Sequence, residues 1–185
     1  MLKKKTFQNA VLAILKAKPG MGSVQLRKAL IIADALHNTL HGTGITGARY
    51  IKDKFGPVPD DEAFNLLTKM DVPLHMVEIL EEPVGHVTQN SYYALVQPDY
   101  PRFTRSQISI LTYAAETAYK YGASRLSDMT HDNAYNNTPM GEEIPLSQVC
   151  RMSISGYDTE PFTEQDKEDV RDFLKSEEAQ VYSFV

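Results

Sequence analysis

Residues 23–40, SVQLRKALIIADALHNTL, decide the fold. Apolar side chains recur in this stretch every three or four residues, which predicts a helix. The apolar positions cover a broad face and are Leu26, Leu30, Ile32, Ala33, Leu36 and Leu40. Ser23 is a suitable N-cap for this helix, and Gly42 and Gly44 end it. Because so wide an apolar face must be buried, we expect the rest of the chain to pack around a central helix.

The flanking segments predict a mainly α (α+β) domain: helices around the central buried helix and one small β-hairpin. The hairpin is expected over residues 76–80 and 87–96, which are rich in Val, Ile, Tyr and Thr and flank a turn. A capping box at Thr104 and Gln107 predicts a long helix that ends near Gly122. The other helices are expected over residues 6–18, 60–70, 123–131 and 164–176. Residues 45–59 and 132–143 are rich in Gly, Pro or Asn and predict an ordered, packed loop and an irregular stretch.

Length and composition predict an ordinary globular chain. The 185 residues, 42% of them hydrophobic, are enough to bury a core of their own. We expect residues 1–152 to form one domain. Residues 153–185 are expected to add a C-terminal helical extension that packs on the same domain.

Charge and cysteine content exclude several classes of protein. A formal net charge of −5 disfavours a nucleic-acid binder, because neutralising phosphates requires clustered Lys and Arg. A winged-helix regulator is disfavoured for the same reason, since the predicted hairpin carries Glu78, Glu81 and Glu82. The single cysteine, Cys150, fits a reducing compartment, and no apolar run is long enough to cross a bilayer. We therefore expect a cytoplasmic protein without a membrane partner.

A polar group interrupts the apolar face of the central helix. Asp34, His37 and His41 lie at positions i, i+3 and i+7, a spacing that could hold a metal. Zinc requires three or four ligands, and the remaining His residues and the one Cys lie in distant segments. A hydrogen-bonded patch, in which Asp34 orients His37, is the better interpretation, and we expect neither a metal nor a cofactor.

Large and charged side chains follow in the predicted loop. Phe55, before Gly56-Pro57, is interpreted as an aromatic anchor that holds the loop against the central helix. Arg49, Tyr50 and Lys52 belong to the residue types from which interface hot spots are built. No Gly-rich phosphate loop is present, so nucleotide binding is disfavoured.

His131 offers an enzymatic alternative. It could act as a general base oriented by Asp128 or Asp132, and Ser127 precedes it by four residues. Ser127 lacks the strained strand-to-helix turn that activates a hydrolase serine. A local hydrogen bond from His131 is the plainer interpretation, and a metal-dependent or His/Asp enzyme stays the less favoured alternative.

Three segments in a fixed order resemble the Panacea domain of SocA-like antitoxins. They read KALIIADALH at residues 28–37, GITGARYIKDKFGPVP at residues 44–59, and LSDMTH at residues 126–131. The resemblance covers about residues 5–150. The chain departs from the usual family pattern in lacking an aromatic near Ile31 and in carrying Tyr135 where Trp is frequent.

The resemblance implies an antitoxin of a bacterial two-gene system, which neutralises a cognate protein toxin by direct binding and is not an enzyme. It implies a toxin encoded by the adjacent gene, and a homodimer is compatible with it. An alternative within the family is a proteolytic adaptor that delivers the toxin to a protease. The candidate toxin-binding residues are Asp34, His37, Arg49, Tyr50, Lys52, Phe55 and His131.

Overall fold

Helices and short strands alternate along the chain. The computed structural model describes residues 1–68, 70, 75–84 and 86–148. The elements are α1 (Lys4–Ala17), β1 (Met21–Gly22), α2 (Ser23–His41), β2 (Tyr50–Asp53), β3 (Gly56–Pro59), α3 (Asp61–Thr68), β4 (Val77–Val84), β5 (Val87–Ala94), a 3₁₀ turn (Tyr100–Arg102), α4 (Arg105–Met129), α5 (Asn133–Asn137) and β6 (Glu143–Ile144). Cys150, the predicted helix over residues 164–176 and the predicted extension over residues 153–185 lie outside the described residues.

The prediction of a mainly helical domain with one hairpin is wrong. The chain is α+β: about 52% of the described residues are helical and 19% are in strands. The strands form two three-stranded antiparallel sheets, ordered β1-β5-β4 and β3-β2-β6. The first sheet contains the predicted hairpin, extended by β1. The second sheet comes from residues that were expected to be a loop and an irregular stretch.

The sequence did not predict the second sheet because strand β3 contains two prolines. Pro57 and Pro59 lie opposite Lys52 and Tyr50 in the register of β3 on β2. Proline cannot donate to a strand ladder and is therefore confined to edge strands and bulges. Since β3 is an edge strand of its sheet, both prolines are accommodated without an unpaired donor.

The core lies between α1, α2 and α4. Helix α2 packs on α1 and α4, and β3 also packs on α2. The core side chains of α2, among them Leu26, Leu30 and Ile31, are fully buried. Helix α2 begins one residue after its N-cap Gly22, so the predicted cap Ser23 is already helical, and it ends at Gly42 in the left-handed conformation.

Helix α4 begins at the predicted position and is interrupted at Gly122, near which it was expected to end. Thr104 and Gln107 form the expected capping box. Gly122 interrupts α4 with φ 69° and ψ 169°, a combination that is essentially restricted to glycine. The residues after Gly122 therefore form a second arm of α4 that leaves in a new direction.

Candidate functional site

A buried carboxylate fixes the chain between α2 and β2. Asp34 is fully buried and accepts hydrogen bonds from the Thr46 amide at 2.9 Å, from the Thr46 hydroxyl and from the Tyr50 hydroxyl at 2.7 Å. Burial raises the pKa of Asp34, and the hydrogen bonds from Thr46 and Tyr50 oppose that rise. Asp34 and Tyr50 therefore act inside the core, where they set the path by which β2 leaves α2.

His37 joins α2 to the start of α4. Its Nδ1 contacts the Thr43 carbonyl, and its Nε2 lies 3.3 Å from the Gln107 side-chain nitrogen. A neutral ring, with Nδ1 donating to Thr43 and Nε2 accepting from Gln107, satisfies both contacts. Burial lowers the pKa of His37, which favours this neutral form.

Arg49 ties the second sheet to α3 and remains exposed. Its guanidinium lies 2.9 Å from Asp60 and 3.6 Å from Glu143. Asp60 is buried and also accepts from the Ala63 amide at the start of α3. Arg49 is thus held by ion pairs with Asp60 and Glu143, while part of its side chain stays open to solvent.

A buried lysine of α2 contacts the turn between β2 and β3 and holds it in place. Lys28, 2% exposed, donates from Nζ to the Pro57 carbonyl at 3.0 Å. Gly56 has φ +96°, and a Cβ added there would lie 2.5 Å from both Lys28 Nζ and Thr130 Oγ1. Gly56 is thus required both for the turn and for the close approach of the hairpin to α2 and α4.

The expected anchor role of Phe55 is wrong. Its ring is 57% exposed, because the Lys28 contact and the close packing of Gly56 already hold the turn. Phe55 instead projects from a rigid support.

The stacked rings of Tyr135 and His131 support the same turn. Tyr135 donates to the Asp53 carbonyl at 2.7 Å, and its ring stacks on His131 with centroids 4.3 Å apart. Lys52 Nζ lies 4.5 Å from the centre of the Tyr135 ring. Burial, and then the charge of Lys28, lower the pKa of His131. His131 is therefore a neutral ring beside the turn, and its Nε2 is buried without a hydrogen-bond partner among the described residues.

An open groove separates the exposed Phe55 ring from the second arm of α4. Its volume is about 410 Å³, within the range of about 300–1,000 Å³ that is typical of ligand sites. We call it the tip groove, and it is lined by Val24, Phe55, Ala123, Ser124, Ser127, Asp128 and His131. A second cavity of about 270 Å³ adjoins it, and both are lined by Val24 and Ala123. The bend at Gly122 directs the second arm of α4 along this opening.

The structure brings three of the seven candidate residues together. Lys52, Phe55 and His131 surround the hairpin turn, whereas Asp34 and Tyr50 lie in the core. His37 and Arg49 occupy two other places. Sequence reasoning missed the groove walls at Val24 and Ala123, since small apolar residues far apart in sequence carry no signal of their own.

The catalytic and metal interpretations find little geometry to support them. No hydrogen bond joins the Ser127 and His131 side chains in the part of the chain that the structure describes. No cluster of three or more His, Cys, Asp or Glu side chains suited to a metal occurs among those residues. The predicted Asp34–His37–His41 set is instead divided between a core carboxylate and two contacting imidazoles, with ring centroids 4.6 Å apart.

Comparison with known proteins identifies one family. The family model described as antitoxin SocA-like, Panacea domain, matches residues 26–136, which is more than half of the chain. The match includes the whole β2–β3 hairpin and all residues of the tip groove except Val24. No curated protein matches the chain significantly. Among residues 1–148, in the part that the structure describes, no helix has both the length and the apolar character to span a membrane.

Proposed function

The chain belongs to the SocA-like Panacea antitoxin family, and we propose that it neutralises a cognate toxin in the cytoplasm by direct protein–protein binding. The toxin is the product of the adjacent gene. This role requires a stable binding surface and no chemical step performed by the chain.

The single observation that carries the binding mechanism is the exposed, rigidly supported turn at Phe55. A large aromatic side chain that stays 57% exposed gains little from folding and is free to contribute to a complex. The few residues that dominate the energetics of protein interfaces are enriched in aromatic residues and Arg. Lys52 and His131 flank this turn, and together with Phe55 they define the surface on which we place the toxin. Arg49 lies at the other end of β2, apart from these three candidates.

The decisive experiment is co-expression of the chain with the product of the neighbouring gene, scored for growth and for co-purification. Growth together with a stable complex is expected, because direct binding should protect the cell and survive purification. The toxin expressed alone is the control.

The other outcomes separate the alternatives. Growth without a complex, abolished when the cellular protease is removed, would instead support the proteolytic adaptor. An absence of growth protection would contradict the antitoxin role and return attention to the metal-dependent or His/Asp enzyme.

A further inference from the structure

We propose that the tip groove and the cavity beside it together bind one extended segment of the toxin. An apolar side chain of that segment lies beside Phe55, and a neighbouring Lys or Arg lies against Asp128. The inference rests on the proposed antitoxin function, because it states where on this chain the toxin is held and by which chemistry.

The shape of the opening favours an extended segment over a compact ligand. The two cavities, of about 410 and 270 Å³, share Val24 and Ala123 in their walls and therefore lie next to each other. The tip groove is bounded by Phe55, whereas the adjoining cavity is lined by the polar residues Gln89 and Asn90. An apolar end that receives a side chain and an amide-rich end that can pair with a peptide backbone suit a single strand of polypeptide.

The apolar end is organised before binding. The turn that carries Phe55 is held by the Lys28 to Pro57 hydrogen bond and by the Tyr135 to Asp53 hydrogen bond. A partner therefore does not have to order this turn, and the entropic cost of binding is reduced accordingly.

Asp128 is the one acidic side chain among the residues that line the tip groove. Asp128 is exposed on the groove wall, and its carboxylate has neither an ion pair nor a hydrogen bond within the described part of the chain. The cations around the groove have other contacts. Lys28 donates to the Pro57 carbonyl, and Lys52 lies over the Tyr135 ring. Lys54 Nζ is 5.3 Å from the centre of Phe55, and the Arg125 guanidinium is 5.1 Å from the centre of Tyr121. A Lys or Arg of the toxin would complement the Asp128 charge, which both fixes its register and speeds encounter.

Paired variants test the groove by titration calorimetry with the purified product of the neighbouring gene. Phe55→Ala is compared with Tyr119→Ala, which removes an aromatic ring of similar exposure elsewhere. Asp128→Lys is compared with Glu78→Lys, which changes the net charge by the same amount on β4. Phe55→Ala and Asp128→Lys are each expected to raise the Kd about 30-fold or more, as interface hot spots do, and the controls less than about 3-fold. Ala123→Arg, which fills the junction of the two cavities, should abolish binding while leaving the melting temperature near that of the unaltered chain.

Other results would overturn the proposal in distinguishable ways. Unchanged affinity in both Phe55→Ala and Asp128→Lys would place the toxin elsewhere and leave the antitoxin role intact. An unaltered chain that neither binds nor protects would contradict the antitoxin role and the groove together. A dimer of the unaltered chain that Ala123→Arg converts to a monomer would show that a second copy occupies the groove.

Discussion

Polar residues buried in α2 determine how the β2–β3 hairpin is presented. Lys28 and Asp34 both lie in a helix whose surroundings are apolar, and each contacts the segment that contains the hairpin. A buried polar group is costly unless it is hydrogen-bonded, so these two side chains favour one arrangement of that segment over its alternatives. Their contribution to the structure is therefore to position the turn that carries Phe55.

Asp34 gives the chain a recognisable dependence of stability on pH. Because burial raises its pKa above the ordinary value of 3.8, the folded chain retains the proton at pH values where the unfolded chain has released it. This contribution to stability is complete below pH 3.8 and is lost as the pH rises through the raised pKa. Asp34→Asn, which does not titrate, should therefore lose less stability than the unaltered chain as the pH rises from 4 upward.

Urea denaturation from about pH 4 to 8 measures this difference. At pH 7, Asp34→Ala should cost about 1–3 kcal/mol, because it leaves the Thr46 amide without its buried acceptor. Parallel stability curves for the unaltered chain and Asp34→Asn would show that the pKa of Asp34 is not raised.

At the residue scale, the sequence identified important positions more readily than their environments. Asp34 and His37 attracted attention as polar residues on an apolar helix face, but the prediction that Asp34 orients His37 is wrong. Asp34 accepts from Thr46 and Tyr50, whereas His37 contacts Thr43 and Gln107. The sequence did not reveal that Tyr50 would be 1% exposed while Phe55 would be 57% exposed. Tyr50 begins β2 and faces the core, whereas Phe55 lies in the exposed turn between β2 and β3, a difference that was not apparent while the segment was expected to be a loop. Toxin contact by Asp34, His37 and Tyr50 stays a prediction.

At the element scale, the bend in α4 is the feature that creates the groove. A side chain at Gly122 would meet no atom within 4 Å, so only its backbone conformation requires glycine. Gly42 also has open space around it and a positive φ, of 75° with ψ 2°, but in the left-handed region that other residues reach more easily. Substitution of Gly42 is therefore a suitable control for substitution of Gly122.

Gly122→Ala should destabilise the chain by about 1–3 kcal/mol, or straighten α4. Gly42→Ala should cost less, and thermal unfolding compares the two. Gly122→Ala should also weaken toxin binding under conditions where it is fully folded, since the second arm of α4 forms one wall of the groove. Equal stability losses, together with normal toxin binding by Gly122→Ala, would contradict the assigned role of the bend.

Local signals predicted elements well and pairings poorly. The α4 capping box, the end of α2 at Gly42 and the β4–β5 hairpin depend on neighbouring residues and were predicted. Strands β1 and β6 contain two residues each, too few for any alternation to be visible. They form only by pairing with the edges of β5 and β2. Those two strands come from other parts of the sequence, so the short segments themselves do not predict the pairing.

At the scale of the whole molecule, the tip groove is assembled from three distant parts of the sequence. The tip groove combines Val24 at the start of α2, Phe55 in the hairpin turn and residues 123–131 at the end of α4. No periodicity or spacing reports such a juxtaposition, since it follows from the packing of α2 against α4 and against β3. The resemblance of three separate segments to one family was the only signal in the sequence that linked these parts.

Amide hydrogen exchange of the chain, alone and in complex with the product of the neighbouring gene, tests the central claim most directly. Direct neutralisation through the tip groove predicts slower exchange in the complex at residues 53–56 and 123–131, with little change in α1. Exchange that is unchanged at both segments, in a mixture where the toxin is nevertheless neutralised, would contradict it.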